Sequence, residues 1–362
     1  MKIMFVISSL GSGGAEKVLT MLANRLAEAE AHTITIVTTS DNHIFFTPRE
    51  NIELIHLNIK PLSHGFFARI KLMYKVISSL KEEITLHTPD VVISFITEVS
   101  ILSILAAKWA KTPIIVSEHS AFYIGEKNKL WKILRKKVYP LADAVVLLTK
   151  EDMPKYSFVK EERKFNIVNP LILKQEHAKI QREKIVIAVG RLVPIKGFDM
   201  LIEAYAMLET NDWQLMIVGG GNEKENLQEL INQYNMEDKI ILIGSVKDVE
   251  IYYKRASIYV LSSYSEGFPG ALCEAMGYGC ACIAFDCPTG PKEIIKHNSD
   301  GILVEAENII SLSQNIASLM KNETKRLEMG RNSIKIVEKL DVDNIVHQWL
   351  ALSNDIIEMR KL

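Results

Sequence analysis

Residues 265–280 read SEGFPGALCEAMGYGC, with Glu266 before a Phe-Pro-Gly turn and Glu274 eight positions later. A carboxylate accepts hydrogen bonds from hydroxyl groups, so a spaced pair suits a ligand with hydroxyls at both ends. Between the two acids, Pro269 fits the first turn of a helix, where its missing N–H costs nothing. Gly270 and Ala271 then offer backbone N–H groups to an anion at that helix start. Upstream, VGRLVPIKGFDML supplies Arg191 and Lys196. One is a planar fork and the other a point charge, and together they can grip a diphosphate. Hydroxyls flanking a diphosphate describe a nucleotide sugar, with ribose at one end and the sugar at the other. Taken singly, each residue also reads as a solvated loop or surface position; the weight lies in their joint occurrence.

The first half offers two more groups. SSLGSGGAEKVL places Gly11, Gly13 and Gly14 between a strand-like run and a helix-like run. Glycines there let backbone amides approach a phosphate, although a merely tight turn needs them as much. G-x-G-x-x-G is absent, as is the Walker lysine-serine pair, which argues against a nicotinamide dehydrogenase and a P-loop enzyme. His119 ends the run PIIVSEH, where a histidine can take part in chemistry or simply satisfy a carbonyl. The cysteines Cys273, Cys280, Cys282 and Cys287 lie close together in an apolar, strand-like segment without a nearby histidine. Small buried thiols fit this better than a zinc site. An Asp-x-Asp metal pair is also missing near these loops, so no metal is expected and the diphosphate charge falls to Arg191, Lys196 and helix termini.

The elements that must position these groups follow from the hydrophobic rhythm. Strand-like runs at 3–7, 33–37, 91–95, 113–117 and 144–148 alternate with helical patterns such as EKVLTMLANRLAEAE, where Val18, Leu19, Leu22 and Leu26 share a face. The rhythm restarts at 185–190, 214–219, 239–244, 257–262, 280–285 and 301–304. Such alternation predicts parallel sheets covered by helices on both faces. Two series fit 362 residues, a length beyond one ordinary core. The spacing predicts α/β domains over 1–175 and 185–340, with a helix at about 341–362 packing back on the first. The polar stretch LKQEHAKIQREK (173–184) is the expected hinge. Ligands of doubly wound sheets bind at the carboxyl ends of strands, so an inter-domain cleft is the expected site.

Charge is divided unevenly. Lys and Arg exceed Asp and Glu by 24 to 18 over residues 1–180, and are exceeded 19 to 26 over 181–362, within a net charge of −1. That split argues against general nucleic-acid binding and suits a local anionic partner on the first domain. MKIMFVISSL runs directly into the glycine turn and reads as a first core strand, not a signal peptide. No apolar run reaches the ~20 residues of a membrane span.

The set SSLGSGGAEKV, SEHS (117–120), GRLVPIKGFDMLIEA, VGGG (218–221) and SEGFPGALCEAMGYG resembles the retaining family-four glycosyltransferases of the GT-B fold, in order and over essentially the whole chain. The resemblance implies that Arg191 and Lys196 bind the donor diphosphate and neutralise the leaving nucleoside diphosphate. It implies that Glu266 holds hydroxyls of the donor sugar, Glu274 those of the ribose, and that His119 lies near the reacting carbon. Gly13 and Gly14 would complete the phosphate and acceptor side. The donor implied is a UDP-sugar carrying a hexose or N-acetylhexosamine, with no cofactor.

On the acceptor side, IGEKNKLWKILRKKVYP (124–140) carries six cations against Glu126. As a helix it predicts an apolar stripe of Leu130, Ile133, Leu134 and Val138, with Lys129, Lys132, Arg135 and Lys136 on the basic side. A basic amphipathic helix suits an anionic membrane surface or a diphosphate head group, though a solvated lysine-rich helix has the same pattern. FFARIKLMYKV (66–76) is a second such segment. With CPTGPKEII (287–295), these are similar to bacterial transferases that extend polyprenyl-diphosphate-linked oligosaccharides, some adding N-acetylgalactosamine. A polyprenyl-diphosphate-linked glycan acceptor and a peripheral place on the cytoplasmic face of the inner membrane are thereby implied. A UDP-sugar epimerase of the same broad fold shares the diphosphate logic but needs no acceptor, and it stays open as the alternative.

Overall fold

The computed structural model describes residues 1–29, 31–40, 44–59, 65–119, 122, 129–173 and 182–360. Two compact units form: Met1–Pro170 with Leu340–Leu362, and Leu171–Lys339. Most of the expected hinge (174–181) lies outside the described residues, as do Ser120 and the start of the basic stretch (124–128).

The first unit holds a seven-stranded parallel sheet of β1 (Lys2–Ile7), β2 (Thr33–Thr38), β3 (Glu53–His56), β4 (Val91–Phe95), β5 (Ile114–Glu118), β6 (Ala144–Leu147) and β7 (Lys164–Asn166). Its order is β3-β2-β1-β4-β5-β6-β7. All of β4, VVISF, is buried, as a strand covered on both faces requires. The helices are α1 (Gly14–Leu26), α2 (Phe66–His87), α3 (Thr97–Ala110) and α4 (Lys129–Val138). The alternating pattern of sequence shows neither β3 nor β7, because one is a short edge strand with a half-exposed face and the other spans three residues.

The second unit holds a six-stranded parallel sheet of β8 (Ile185–Val189), β9 (Gln214–Val218), β10 (Ile240–Gly244), β11 (Ile258–Leu261), β12 (Ala281–Phe285) and β13 (Ile302–Val304), in the order β10-β9-β8-β11-β12-β13. Around it lie α5 (Phe198–Ala206), α6 (Lys224–Gln233), α7 (Glu250–Arg255), α8 (Gly270–Gly277), α9 (Pro291–Ile294), α10 (Ile309–Lys321), α11 (Glu323–Ser333) and α12 (Ile336–Lys339). The four cysteines are buried free thiols of this unit, packed in and around β12.

The last helix, α13 (Val342–Met359), belongs to the first unit. Asp341 caps it, accepting from the Asn344 amide at 3.0 Å. Ile345, Val346, Trp349, Leu352 and Ile356 recur at helical spacing and are buried, while Asp343 pairs with Arg25 of α1. No described helix is long and apolar enough to cross a membrane.

Candidate functional site

In the second sheet the order reverses between the neighbours β8 and β11. At such a switch point the loops leaving the carboxyl ends diverge and open a crevice. Arg191 and Lys196 follow β8, and Glu266 follows β11. Lys196 Nζ lies 2.6 Å from Glu266 Oε1, and Ser263 Oγ donates to the same oxygen at 2.6 Å. The two loops are pinned together: the Tyr264 amide donates to the Ile195 carbonyl at 2.9 Å, and Ser262 Oγ to that of Lys196 at 3.1 Å. Gly197 sits between them at φ 58°, where a Cβ would come within 2.1 Å of the Ser262 carbonyl oxygen. Only glycine fits so close an approach. A third loop follows β12. There Thr289 Oγ1 donates to the Glu266 carbonyl, and Gly290 lies against the Pro269 ring.

Two expectations change. Glu266, which taken singly reads as a solvated loop position, is 6% exposed, its charge paired with Lys196 and its oxygen hydrogen-bonded by Ser263, as burial of a carboxylate demands. The Gly270 amide is not free, because it donates to the Phe268 carbonyl at 2.9 Å. Ala271, the next residue, makes no such backbone bond among the described residues. Glu274 stands one turn into α8, half-buried. Burial, and next the charge of Glu274, hold the nearby Tyr253 phenol well above its ordinary range. Arg191 is exposed and forms no ion pair among the described residues.

In the first unit the order reverses between β1 and β4. Gly13 and Gly14 leave β1 and open α1. Gly14 has open space where a Cβ would stand, whereas the Glu16 carboxylate fills that space at Gly13. His119 follows β5. Its ring stacks on Phe95, the last residue of β4, with centroids 4.7 Å apart, and Phe95 in turn stacks on Trp349 of α13 at 6.4 Å. Ser117 Oγ lies 2.9 Å from His119 Nε2. The crowded surroundings lower the imidazole to about 3 by desolvation. The residue as a whole keeps partial exposure, so the direction is what bears on chemistry: His119 is neutral at physiological pH. Ile96, between Phe95 and Thr97, has φ 72°, a costly conformation for a β-branched residue. Strain of this kind concentrates at functional sites, and here it lies beside His119.

The helix α4 corrects a further expectation. Trp131, Leu134 and Val138 pack on the core, and with them Arg135, which is 1% exposed. Ile133, expected in the stripe, is 53% exposed. The core-facing phase is therefore 131, 134, 135 and 138. Lys129, Lys136 and Lys137 are exposed and Lys132 half-buried on the other side. On α2, Phe67 is 84% exposed and Tyr74 62%, with Ile70, Arg69, Lys71 and Lys75 exposed beside them. Among the described residues no group of three or more His, Cys, Asp or Glu side chains is placed to hold a metal ion.

Sequence spacing misses Ser263, Thr289, Phe95, Thr97 and Trp349. A serine or phenylalanine at a strand end carries no signal until the sheet order shows which strand ends adjoin.

Residues 171–336 match the family model "Glycosyl transferases group 1", and residues 12–152 match "Glycosyltransferase Family 4". A Campylobacter jejuni protein is 30% identical over 97% of this chain and 98% of its own length. Its name is GalNAc-alpha-(1->4)-GalNAc-alpha-(1->3)-diNAcBac-PP-undecaprenol alpha-1,4-N-acetyl-D-galactosaminyltransferase. An uncharacterized glycosyltransferase of Haemophilus influenzae is 31% identical over 97% of this chain and 99% of its own. Among solved structures, Anabaena Alr3699/HepE in complex with UDP and glucose superposes with TM-score 0.81 at 19% identity, covering 97% of this chain and 99% of that one. That likeness concerns the fold, which is GT-B.

Proposed function

The chain belongs to the group 1 glycosyltransferases, and from that premise we propose that it moves a hexose or N-acetylhexosamine from a UDP-sugar to a polyprenyl-diphosphate-linked glycan, with retention, in bacterial glycan assembly. The observation that carries this reading is the Lys196–Glu266 pair at the switch point of the second sheet, with Arg191 on the same loop as Lys196. Cations and a carboxylate meet there as a diphosphate and a sugar hydroxyl would need. The departing UDP develops negative charge, and Arg191 and Lys196 supply the positive charge to meet it. Glu266 takes hydroxyls of the transferred sugar, Glu274 those of the ribose, and the Ala271 amide faces phosphate. His119, held neutral against Phe95, offers hydrogen bonding beside the reacting carbon without competing for the diphosphate.

The acceptor reading draws on the name of the Campylobacter relative, which specifies an undecaprenyl-diphosphate glycan and an α linkage. An α product from an α-linked UDP-sugar is retention. The lysine face of α4 and the Phe67–Tyr74 face of α2 combine cations with exposed apolar groups, which suits peripheral attachment to an anionic lipid surface, on the cytoplasmic side where UDP-sugars are made.

The test incubates purified protein with UDP-sugars, with and without undecaprenyl-diphosphate-linked glycan. A mass increase of one sugar per acceptor, α by NMR, with UDP released only when acceptor is present, is the expected result. Epimerised UDP-sugar without acceptor would instead make the chain an epimerase. Turnover should persist in EDTA, since the two cations supply the charge; a strict requirement for Mg2+ or Mn2+ would overturn that assignment.

A further inference from the structure

A buried arginine on a surface helix needs a reason, because a leucine at position 135 would complete the apolar face of α4 at no electrostatic cost. The Arg135 guanidinium carbon lies 4.3 Å from the centre of the Phe122 ring and 5.4 Å from that of Tyr156. Its Nη2 donates to the Phe122 carbonyl at 3.1 Å. One turn further on, Tyr139 is fully buried, and its hydroxyl donates to Glu118 Oε2 at 2.7 Å. Thr97, the first residue of α3, donates to both oxygens of the same carboxylate at 2.8 and 2.9 Å. Glu118 is the residue before His119, and Phe122 comes three after it. α4 and the residue that follows it thus grip the chain on both sides of His119, by a phenol–carboxylate bond from Tyr139 ahead of it and a guanidinium–carbonyl bond with a cation–π contact from Arg135 behind.

We propose that Arg135 and Tyr139 are positioning residues for His119. They fix the segment that carries the imidazole and keep it pressed on Phe95 in its neutral form. The consequence for the reaction rests on the reading of His119 as the group beside the reacting carbon. The helix that turns lysines outward therefore has a second, inward duty, and the two are separable by substitution: Lys129, Lys132, Lys136 and Lys137 serve the surface, Arg135 and Tyr139 the histidine.

The test follows the His119 ring by NMR in histidine-labelled protein, its signal assigned by loss in His119→Asn. In the wild type the ring should stay neutral from pH 8 to pH 5. In Tyr139→Phe, which removes one hydroxyl and keeps the ring, His119 should titrate nearer the ordinary value of about 6.5 as water reaches it. Turnover should fall about tenfold with the donor KM unchanged. Arg135→Met should do the same; if it fails to fold, Tyr139→Phe decides alone. A His119 titration in Tyr139→Phe identical to that of the wild type overturns the proposal. A shifted titration with full turnover leaves the positioning role standing and removes His119 from the reaction.

Discussion

Lys196 and Glu266 hold each other at 2.6 Å, so a diphosphate that engages Lys196 competes with Glu266 for the same ammonium. Substitutions should separate the two roles. Lys196→Ala and Arg191→Ala should each lower turnover by about two powers of ten or more, since each removes charge stabilisation from the leaving group. Glu266→Gln should lose turnover comparably yet bind UDP at least as tightly as wild type, because Lys196 is released. Glu274→Ala should weaken UDP binding itself. Calorimetry with UDP decides: equal losses in the two glutamate variants would sink the division of labour. The Arg–Lys loop and both glutamates are legible in sequence because strand, turn and charge recur in fixed order. Ser263 is not legible, since its partnership with Glu266 exists only once two loops are pinned side by side. His119 carries a pH signature. Burial holds its folded value below the unfolded one of about 6.5, so the unfolded chain takes up a proton the fold refuses. That contribution to stability is whole above about pH 6.5 and declines as pH falls below it. Melting temperatures of wild type and His119→Asn should therefore converge on acidification between pH 6.5 and 4; a constant gap would show that His119 is solvated in the fold.

Among the elements, α4 shows how helical phase decides what a residue does. Leu130, Ile133, Leu134 and Val138 suggest one apolar face by spacing; the core takes Leu134 and Val138 but adds Trp131, which turns Ile133 outward and Arg135 inward. Spacing could not settle this, because a stripe of i, i+3 and i+4 positions can be drawn through either set of side chains and only packing chooses. Replacing Lys129, Lys132, Lys136 and Lys137 together by Gln should weaken binding to anionic vesicles and raise the KM for lipid-linked acceptor several-fold. Each lysine contributes on the order of 1 kcal/mol at such a surface. Thermal stability and UDP affinity should hardly move, and high salt should reproduce the effect in the wild type. Normal use of lipid-linked acceptor by this variant at low salt would reduce the lysine face to a solvated one. The strands tell the opposite story. Runs such as VVISF and ACIAF are legible because a parallel strand is apolar on both faces, whereas ELIH and KFN at the sheet edge are not.

At the scale of the whole molecule, the second unit is one continuous stretch, Leu171–Lys339, while the first is made of two. A fragment spanning 171–339 should fold alone and bind UDP through Arg191, Lys196 and Glu274, with affinity near that of the full chain by calorimetry. A fragment spanning 1–170 should not. It lacks α13, whose Ile345, Val346, Trp349, Leu352 and Ile356 are all buried. At about 1.5–3 kcal/mol for each large apolar side chain, their loss rivals the 5–15 kcal/mol that typically holds a domain. Cooperative melting of 1–170 by itself would contradict this. On the ribosome the same connectivity inverts the usual order of completion, in which the earlier domain finishes first. The first-made unit waits, its place for Trp349 beside Phe95 unfilled, while the second-made unit emerges and closes. Codon changes or stalling after residue 339 would prolong that wait, leaving the apolar bed of α13 open to chaperones or to other nascent chains.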